Sequence, residues 1–224
     1  MDISIPSTST RQLLDKSVDH YQQEMLTTEE GHKLVEYLKL RGLTKETATH
    51  FRLGLVKDPL AESAHDFMTG RLAIPYITQT GIVQIRFRAI PYDGVPGHPE
   101  PSPKMMSESG AKTTLYNVMA LRPENQRIFI CEGEADTWTA HQAGLPAVGV
   151  PGARAWKSVF AKAFKFRRVT ILADNDDHGE GMEFGQKIQA DIPGARIVLM
   201  EQGHDVNSFV QEHGEQALRD KVGL

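Results

Sequence analysis

The sequence predicts an α/β protein in which a parallel sheet with flanking helices is preceded by a smaller, mixed α+β half. Three observations carry that prediction. Beyond residue 126, short apolar runs near 128–131, 146–150, 168–173 and 195–200 alternate with stretches of helical pattern, the order of a parallel sheet covered on both faces. Before it, helical stretches lead into two extended segments on either side of Gly81. Between the halves, prolines and glycines crowd 91–103, which reads as a loop rather than an element. The expected organisation is a Ser/Thr-rich, disordered tail over 1–9, a first domain over 10–125 and a second over 126–224.

Composition narrows the class. With 40% hydrophobic and 24% charged residues the chain is an ordinary globular one, and no apolar run nears the ~20 residues of a membrane span, so no membrane partner is expected. MDISIPSTSTRQ lacks the basic and apolar regions of a secretory signal, and a cytoplasmic location is expected. The single cysteine, Cys131, excludes an internal disulfide and a four-cysteine zinc site; inside an apolar run it reads as core. The net charge of −4 hides a polarity. Lys39 to Lys57 holds five basic residues against one acidic, and Arg154 to Arg168 six against none. Asp174 to Asp220 holds eleven acidic residues against three basic. Such a division suits a protein that grips a polyanion beside a cation site.

In chain order, Arg11 to Met25 and Thr28 to Leu40 are helical in pattern, with Thr27 or Thr28 ahead of Glu29 and Glu30 as a capped start. Gly42 ends the second helix and Thr44 opens a short third. Arg71 to Ile77 reads as a strand. Ile82 to Ile90 alternates, placing Val83, Ile85, Phe87 and Ala89 on one face and Gln84, Arg86 and Arg88 on the other. Two guanidiniums in a row on a sheet face suit phosphate, since arginine offers bidentate donors that stay charged. In the second half, Pro151, Gly152 and Ala153 make a turn into an expected helix over Arg154 to Phe166, whose N-terminus could approach a phosphate. Trp156, Val159, Phe160, Ala163 and Phe164 would be its buried stripe, and Lys157, Lys162 and Lys165 its solvent face.

The chemistry is carried by two of the apolar runs. RIFICEGEAD (127–136) and RVTILADNDDHG (168–179) each end abruptly in carboxylates, and a helical pattern follows each. Glu132 ends the first strand and Asp136 falls in the next helix's first turn; Asp174, Asp176 and Asp177 end the other strand. Ligands of open α/β sheets bind outside the carboxyl ends of the strands, so neighbouring strands would bring these groups together. Two unit charges ~5 Å apart at an effective dielectric of ~20 repel by roughly 3 kcal/mol, so the site must protonate or take a cation. All-oxygen ligands point to Mg2+ or Mn2+ and not to zinc, and phosphoryl transfer is the natural use of such an ion.

EGEAD, then DND with a nearby glycine, then GHDVN (203–207) together resemble the TOPRIM domain shared by bacterial-type (DnaG-like) primases, topoisomerases and some nucleases. YLKLRGLTKETATHFRLGLV (37–56), the hairpin with Arg71 and Arg88, and Pro103-Lys104 followed by Leu115-Tyr116 are similar to successive segments of the primase catalytic core. The resemblance implies primer RNA synthesis on a single-stranded DNA template from ribonucleoside triphosphates. It implies Glu132, Asp174 and Asp176 as catalytic metal ligands, supported by Asp136 and Asp205. Arg71, Arg86, Arg88, Lys104 and Lys112 would hold template and nucleotide, with Arg86 assigned from strand alternation and Lys112 as a stand-in in a shortened loop. Asn207 departs from the family's aspartate, which implies fewer ions. Neither a zinc-ribbon nor a helicase-binding segment is recognisable, so a replicative helicase and a separate zinc-ribbon or helicase-binding protein are expected partners of a minimal, phage- or plasmid-like form. A TOPRIM metal-dependent nuclease and a catalytically idle single-strand-binding subunit are the alternatives.

Overall fold

The computed structural model describes residues 5–175 and 179–224. It divides into two compact units, one running to Lys112 and one from Thr113 onward.

The first unit opens with helices α1 (Thr8–Thr27), α2 (Glu29–Leu40) and α3 (Lys45–His50). A hydroxyl starts each by accepting a backbone N–H of the first turn. Ser7 takes that of Thr10 at 3.1 Å, Thr28 that of Gly31 at 3.0 Å and Thr44 that of Thr47 at 3.1 Å. The Ser7 cap corrects the expected tail, because Thr8 and Ser9 already belong to α1. An antiparallel sheet follows, in the order β1 (Gly54–Leu55), β2 (Leu72–Thr78), β3 (Gly81–Arg88), β4 (Met105–Ser107). Leu14, Val18 and Tyr21 of α1 pack on it against Ala73, Ile82, Ile85 and Phe87.

The expected alternation of β3 is broken at one place. Tyr76 pairs with Gln84 but Ile77 pairs with Ile82, which leaves Val83 as the extra residue of a bulge. A one-residue insertion exchanges the faces of everything beyond it, so Ile82, not Val83, joins Ile85 and Phe87 on the α1 side. Arg86 and Arg88 lie before the slip, in register with Ile74 and Leu72, and keep the expected face. A buried polar chain secures this half. The Tyr21 hydroxyl meets Nδ1 of His65 at 2.8 Å, Nε2 of His65 meets Glu108 at 3.2 Å, and Glu108 accepts the N–H of Ile85 at 2.9 Å.

The second unit is a parallel sheet in the order β6-β5-β7-β8, formed by β5 (Arg127–Cys131), β6 (Ala147–Gly149), β7 (Arg168–Ala173) and β8 (Arg196–Leu199). Helices α4 (Glu134–Gln142), α5 (Glu180–Asp191) and α6 (Val206–Val222) flank it. Alternate strand residues feed two cores. Ile128, Ile130 and Ile171 pack with Trp156, Phe160, Phe184 and Ile188; Phe129, Cys131 and Leu172 pack with Ala140, Val206, Phe209 and Leu218. Burial on both faces is why these strands read as unbroken apolar runs.

The second unit starts earlier than residue 126. Tyr116 exchanges backbone hydrogen bonds with Gly149 at 2.8 and 3.1 Å, and its hydroxyl accepts from Trp138 Nε1 at 2.7 Å. Leu115 and Ala120 enter the core under the sheet, so apolar packing draws this stretch into the second unit. The helix expected over Arg154 to Phe166 is also corrected. Ala153–Ala155 and Ser158–Phe164 form 3-10 turns, separated by extended backbone at Trp156 and Lys157. Trp156, Phe160 and Phe164 are buried as expected while Val159 is exposed, and Trp156 Nε1 donates to Asp191 at 2.7 Å. Docking of these aromatics on the sheet overrides helical spacing, and no α-helix N-terminus stands there to meet a phosphate. Among the described residues, no helix is long and apolar enough to cross a membrane.

Gly54 tests the packing of α1 on the sheet. A Cβ there would lie 2.6 Å from the Tyr21 carbonyl carbon, so Gly54→Ala is expected to destabilise the chain by about 1–3 kcal/mol, read as a lowered urea midpoint.

Candidate metal and nucleic-acid sites

The acidic site is built by strand register. β5 and β7 are parallel neighbours with Ile130 opposite Ile171, so Glu132 and Asp174 leave the sheet at the same, carboxyl end. Both are half-buried. Asp136, in the first turn of α4, is buried, and its carboxylate accepts the backbone N–H of Asn207 at 3.2 Å. That bond ties α4 to the start of α6, and Asn207 Nδ2 adds a second tie to Thr139 Oγ1 at 2.9 Å. Asp205 caps α6, accepting the N–H of Ser208 at 2.6 Å and its hydroxyl at 2.7 Å. The turn before it is fastened to the end of β7: Asn175 N–H donates to the His204 carbonyl at 2.9 Å, and Gly203 N–H to that of Asn175 at 2.7 Å.

Cys131 reports the field at this end. Burial pushes its thiol well above the ordinary range, and the carboxylates of Asp136 and Asp174 push it further. Two acidic groups from separate elements therefore act on one sulfur at the strand end. Asp176 and Asp177 lie outside the described residues. Glu132, Asp136, Asp174 and Asp205 offer only oxygen, the donor set of a hard divalent cation such as Mg2+ or Mn2+. Glycines let the surrounding elements close on it. A Cβ on Gly181 of α5 would collide with the Asp174 carbonyl, and one on Gly149 would lie 2.5 Å from Thr137 Oγ1. Neither glycine was singled out from sequence, because nothing in a strand–helix pattern marks how closely two backbones approach.

The basic residues lie in the first unit and are not equivalent. Arg71 is buried and donates from Nη1 to the carbonyl of Pro103 at 2.8 Å, which holds the segment leading to Lys104. Arg88 donates from Nε to the Tyr37 hydroxyl at 3.3 Å, and Arg86 is half-buried two residues away on the same face of β3. Lys104 is exposed, 3.5 Å from Glu100, and Lys112 is exposed. Beside Arg71 runs a groove of about 770 Å3 lined also by Lys33, Lys57, Phe67 and Tyr92. Phe67 and Tyr92 are 88% and 78% exposed, high for aromatic rings. Phe67, in a single 3-10 turn, and Tyr92, in a loop, carry no periodic signal, and sequence reasoning missed both.

Two units of this construction, an antiparallel sheet with its helices and a parallel sheet with carboxylates at one end, have the fold of a DnaG-like primase catalytic core. The RNA polymerase domain of Mycobacterium tuberculosis primase DnaG superposes with a TM-score of 0.79 at 17% identity, covering 96% of this chain and 83% of that one. A DnaG primase catalytic domain bound to ssDNA gives 0.73 at 19% identity, covering 95% and 80%. The chain belongs to the family of the gene 57 protein of Mycobacterium phage D29, to which it is 41% identical over 159 residues, 68% of this chain and 98% of that protein. It is 24% identical over 236 residues to the DNA primase of Geobacillus stearothermophilus, covering 91% of this chain but 39% of that protein's length. No family model matches.

Two outcomes follow from the packing at the strand ends. Gly181→Ala should force α5 away from Asp174, lowering both the urea midpoint and divalent-cation affinity. The raised thiol pKa favours neutral Cys131 in the folded state, so the stability it contributes is complete below the ordinary thiol value of about 8.5 and is lost as pH rises past it. The urea midpoint should therefore fall between pH about 8 and about 10. At the lower pH, a thiol reagent should label Cys131 only after unfolding.

Proposed function

We propose that the chain is a DNA primase of minimal, phage-like form, which makes RNA primers on single-stranded DNA from ribonucleoside triphosphates with Mg2+ or Mn2+. The observation that carries this reading is the emergence of Glu132 and Asp174 at one end of adjacent parallel strands. Glu132, Asp174 and Asp176 are the ligands and catalytic groups, and Asp136 and Asp205 support them. A bound divalent ion supplies Lewis acidity at the triphosphate and lowers the pKa of the attacking 3′-hydroxyl. Glu132 would accept that hydroxyl's proton where its carboxylate is not wholly engaged. Asp136 and Asp205 also have work of their own in fixing the start of α6.

Arg86, Arg88 and Lys104 bind phosphate, with Lys112 as a further cation beyond β4. Arg71 acts through Pro103, fixing the approach of Lys104. The exposed rings of Phe67 and Tyr92 beside cationic groups suit unpaired bases, which stack on aromatic faces without regard to sequence. A replicative helicase and a separate zinc-ribbon or helicase-binding protein remain the proposed partners, and the host cytoplasm the proposed setting. A nuclease would use the same carboxylates. Similarity to primase cores covering 95% or more of the chain, rather than its carboxylate half alone, supports polymerisation over cleavage.

Incubation with single-stranded DNA, labelled ribonucleotides and Mg2+ or Mn2+ should yield short RNA oligomers. Asp174→Asn should lower the yield at least ~100-fold, as expected when electrostatic stabilisation of the transferring phosphoryl group is lost. Arg88→Ala should weaken template binding, with a shallower salt dependence of log affinity. Shortened DNA, or retardation of DNA without synthesis, would refute the primase reading.

A further inference from the structure

Among the described residues, one cluster of metal-ligating side chains brings three ligand atoms together, and it lies on the second unit, where His204 directly precedes Asp205 of the all-oxygen set. His204 sits in the turn after β8, and Glu212 and His213 lie on α6 immediately before Gly214, whose φ of 85° and ψ of 165° interrupt the helix. One ligand atom from each of His204, Glu212 and His213 falls within 4.8 Å of the others. His204 Nε2 is 3.4 Å from one Glu212 oxygen, and His213 Nε2 is 3.9 Å from the other. Glu201 brings a further carboxylate oxygen to 3.3 Å from His213 Nε2.

These separations are long for N–H···O hydrogen bonds, which centre near 2.9–3.0 Å. The 3.3 and 3.4 Å separations match the ligand–ligand edge of a tetrahedron with bonds of 2.0–2.1 Å, about 3.3 Å, the bond lengths of Zn2+ to imidazole nitrogen and carboxylate oxygen. The 3.9 Å separation would shorten as an ion draws the three groups in. The ring of Phe209 lies 4.8 Å from that of His213 and 6.3 Å edge-on from that of His204, which fixes the direction of both imidazoles.

We propose that His204, Glu212 and His213 bind a borderline transition-metal ion, Zn2+ or Co2+, with Glu201 or water in the fourth position. Imidazole donors set this site apart from the oxygen ligands at the strand ends, which suit Mg2+ or Mn2+. Having one cysteine does not exclude zinc here, since a His–Glu site needs none. The site would act as a brace. His204 also accepts the N–H of Asn175 through its carbonyl, so an ion held between His204 and α6 would clamp the first half of that helix, with Asp205, to the strand end beside Asp174.

The test is titration of the metal-free, full-length chain with Co2+, read as visible absorption. One equivalent should produce the intense bands of four-coordinate cobalt, discharged by Zn2+ and untouched by millimolar Mg2+. His213→Ala and Glu212→Gln, both at exposed positions and checked for fold by circular dichroism, should each weaken that signal's affinity at least tenfold. Asp174→Asn should retain it. Absence of tetrahedral bands, bands of unchanged affinity in both α6 variants, or bands removed by Asp174→Asn would overturn the proposal.

Discussion

The parallel pairing of β5 with β7 is the constraint on which the acidic site depends. Parallel strands leave the sheet in the same direction, so residues far apart in sequence arrive at one end by register alone, with Ile130 opposite Ile171. The last apolar residues, Cys131 and Ala173, are fully buried, and the carboxylates begin one step beyond them. Charge therefore accumulates where the sheet meets solvent, and the field is felt by the Cys131 thiol. Shifting either strand by one residue would exchange the side chains that feed the two cores and separate the pair.

The rest of the second unit holds that end rigid. α4 brings Asp136 and, through the Asn207 N–H, anchors the start of α6. Asp205 caps α6, and the 203–204 turn is fastened to Asn175. Two glycines remove the side chains that would keep α5 and β6 at a distance. Carboxylates on strand ends and helix first turns lose little freedom when a cation binds, which suits a site where small displacements of reacting atoms are costly. The first unit carries Arg86 and Arg88 on one sheet face.

Much of this was legible in the sequence because the second half has a strong period. Four apolar runs broken by helical patterns gave all four strands of the parallel sheet, and the acidic residues ending two of them marked the candidate site. What failed did so for identifiable reasons. The aromatics of 154–166 have helical spacing, but docking on the sheet put extended backbone at Trp156 and Lys157. Val83 belongs to a bulge, a one-residue event that alternation cannot foresee. The strand β4 is three residues after a proline-rich loop, and its partner β3 rather than its own composition makes it a strand. Leu115 and Tyr116 were recognised as a motif but placed in the wrong unit, since their burial against Gly149 and Trp138 is a tertiary fact. Arg71, expected to hold template and nucleotide, lines the groove and donates to the carbonyl of Pro103, a partner that no sequence pattern marks.

The central claim is that side chains from two neighbouring strands share one divalent cation. Anomalous diffraction from crystals grown with Mn2+ tests it most directly. The account requires an anomalous peak within coordination distance of carboxylate oxygens of both Glu132 and Asp174. A map with no peak there, or with Glu132 and Asp174 pointing apart and manganese held elsewhere, would contradict it.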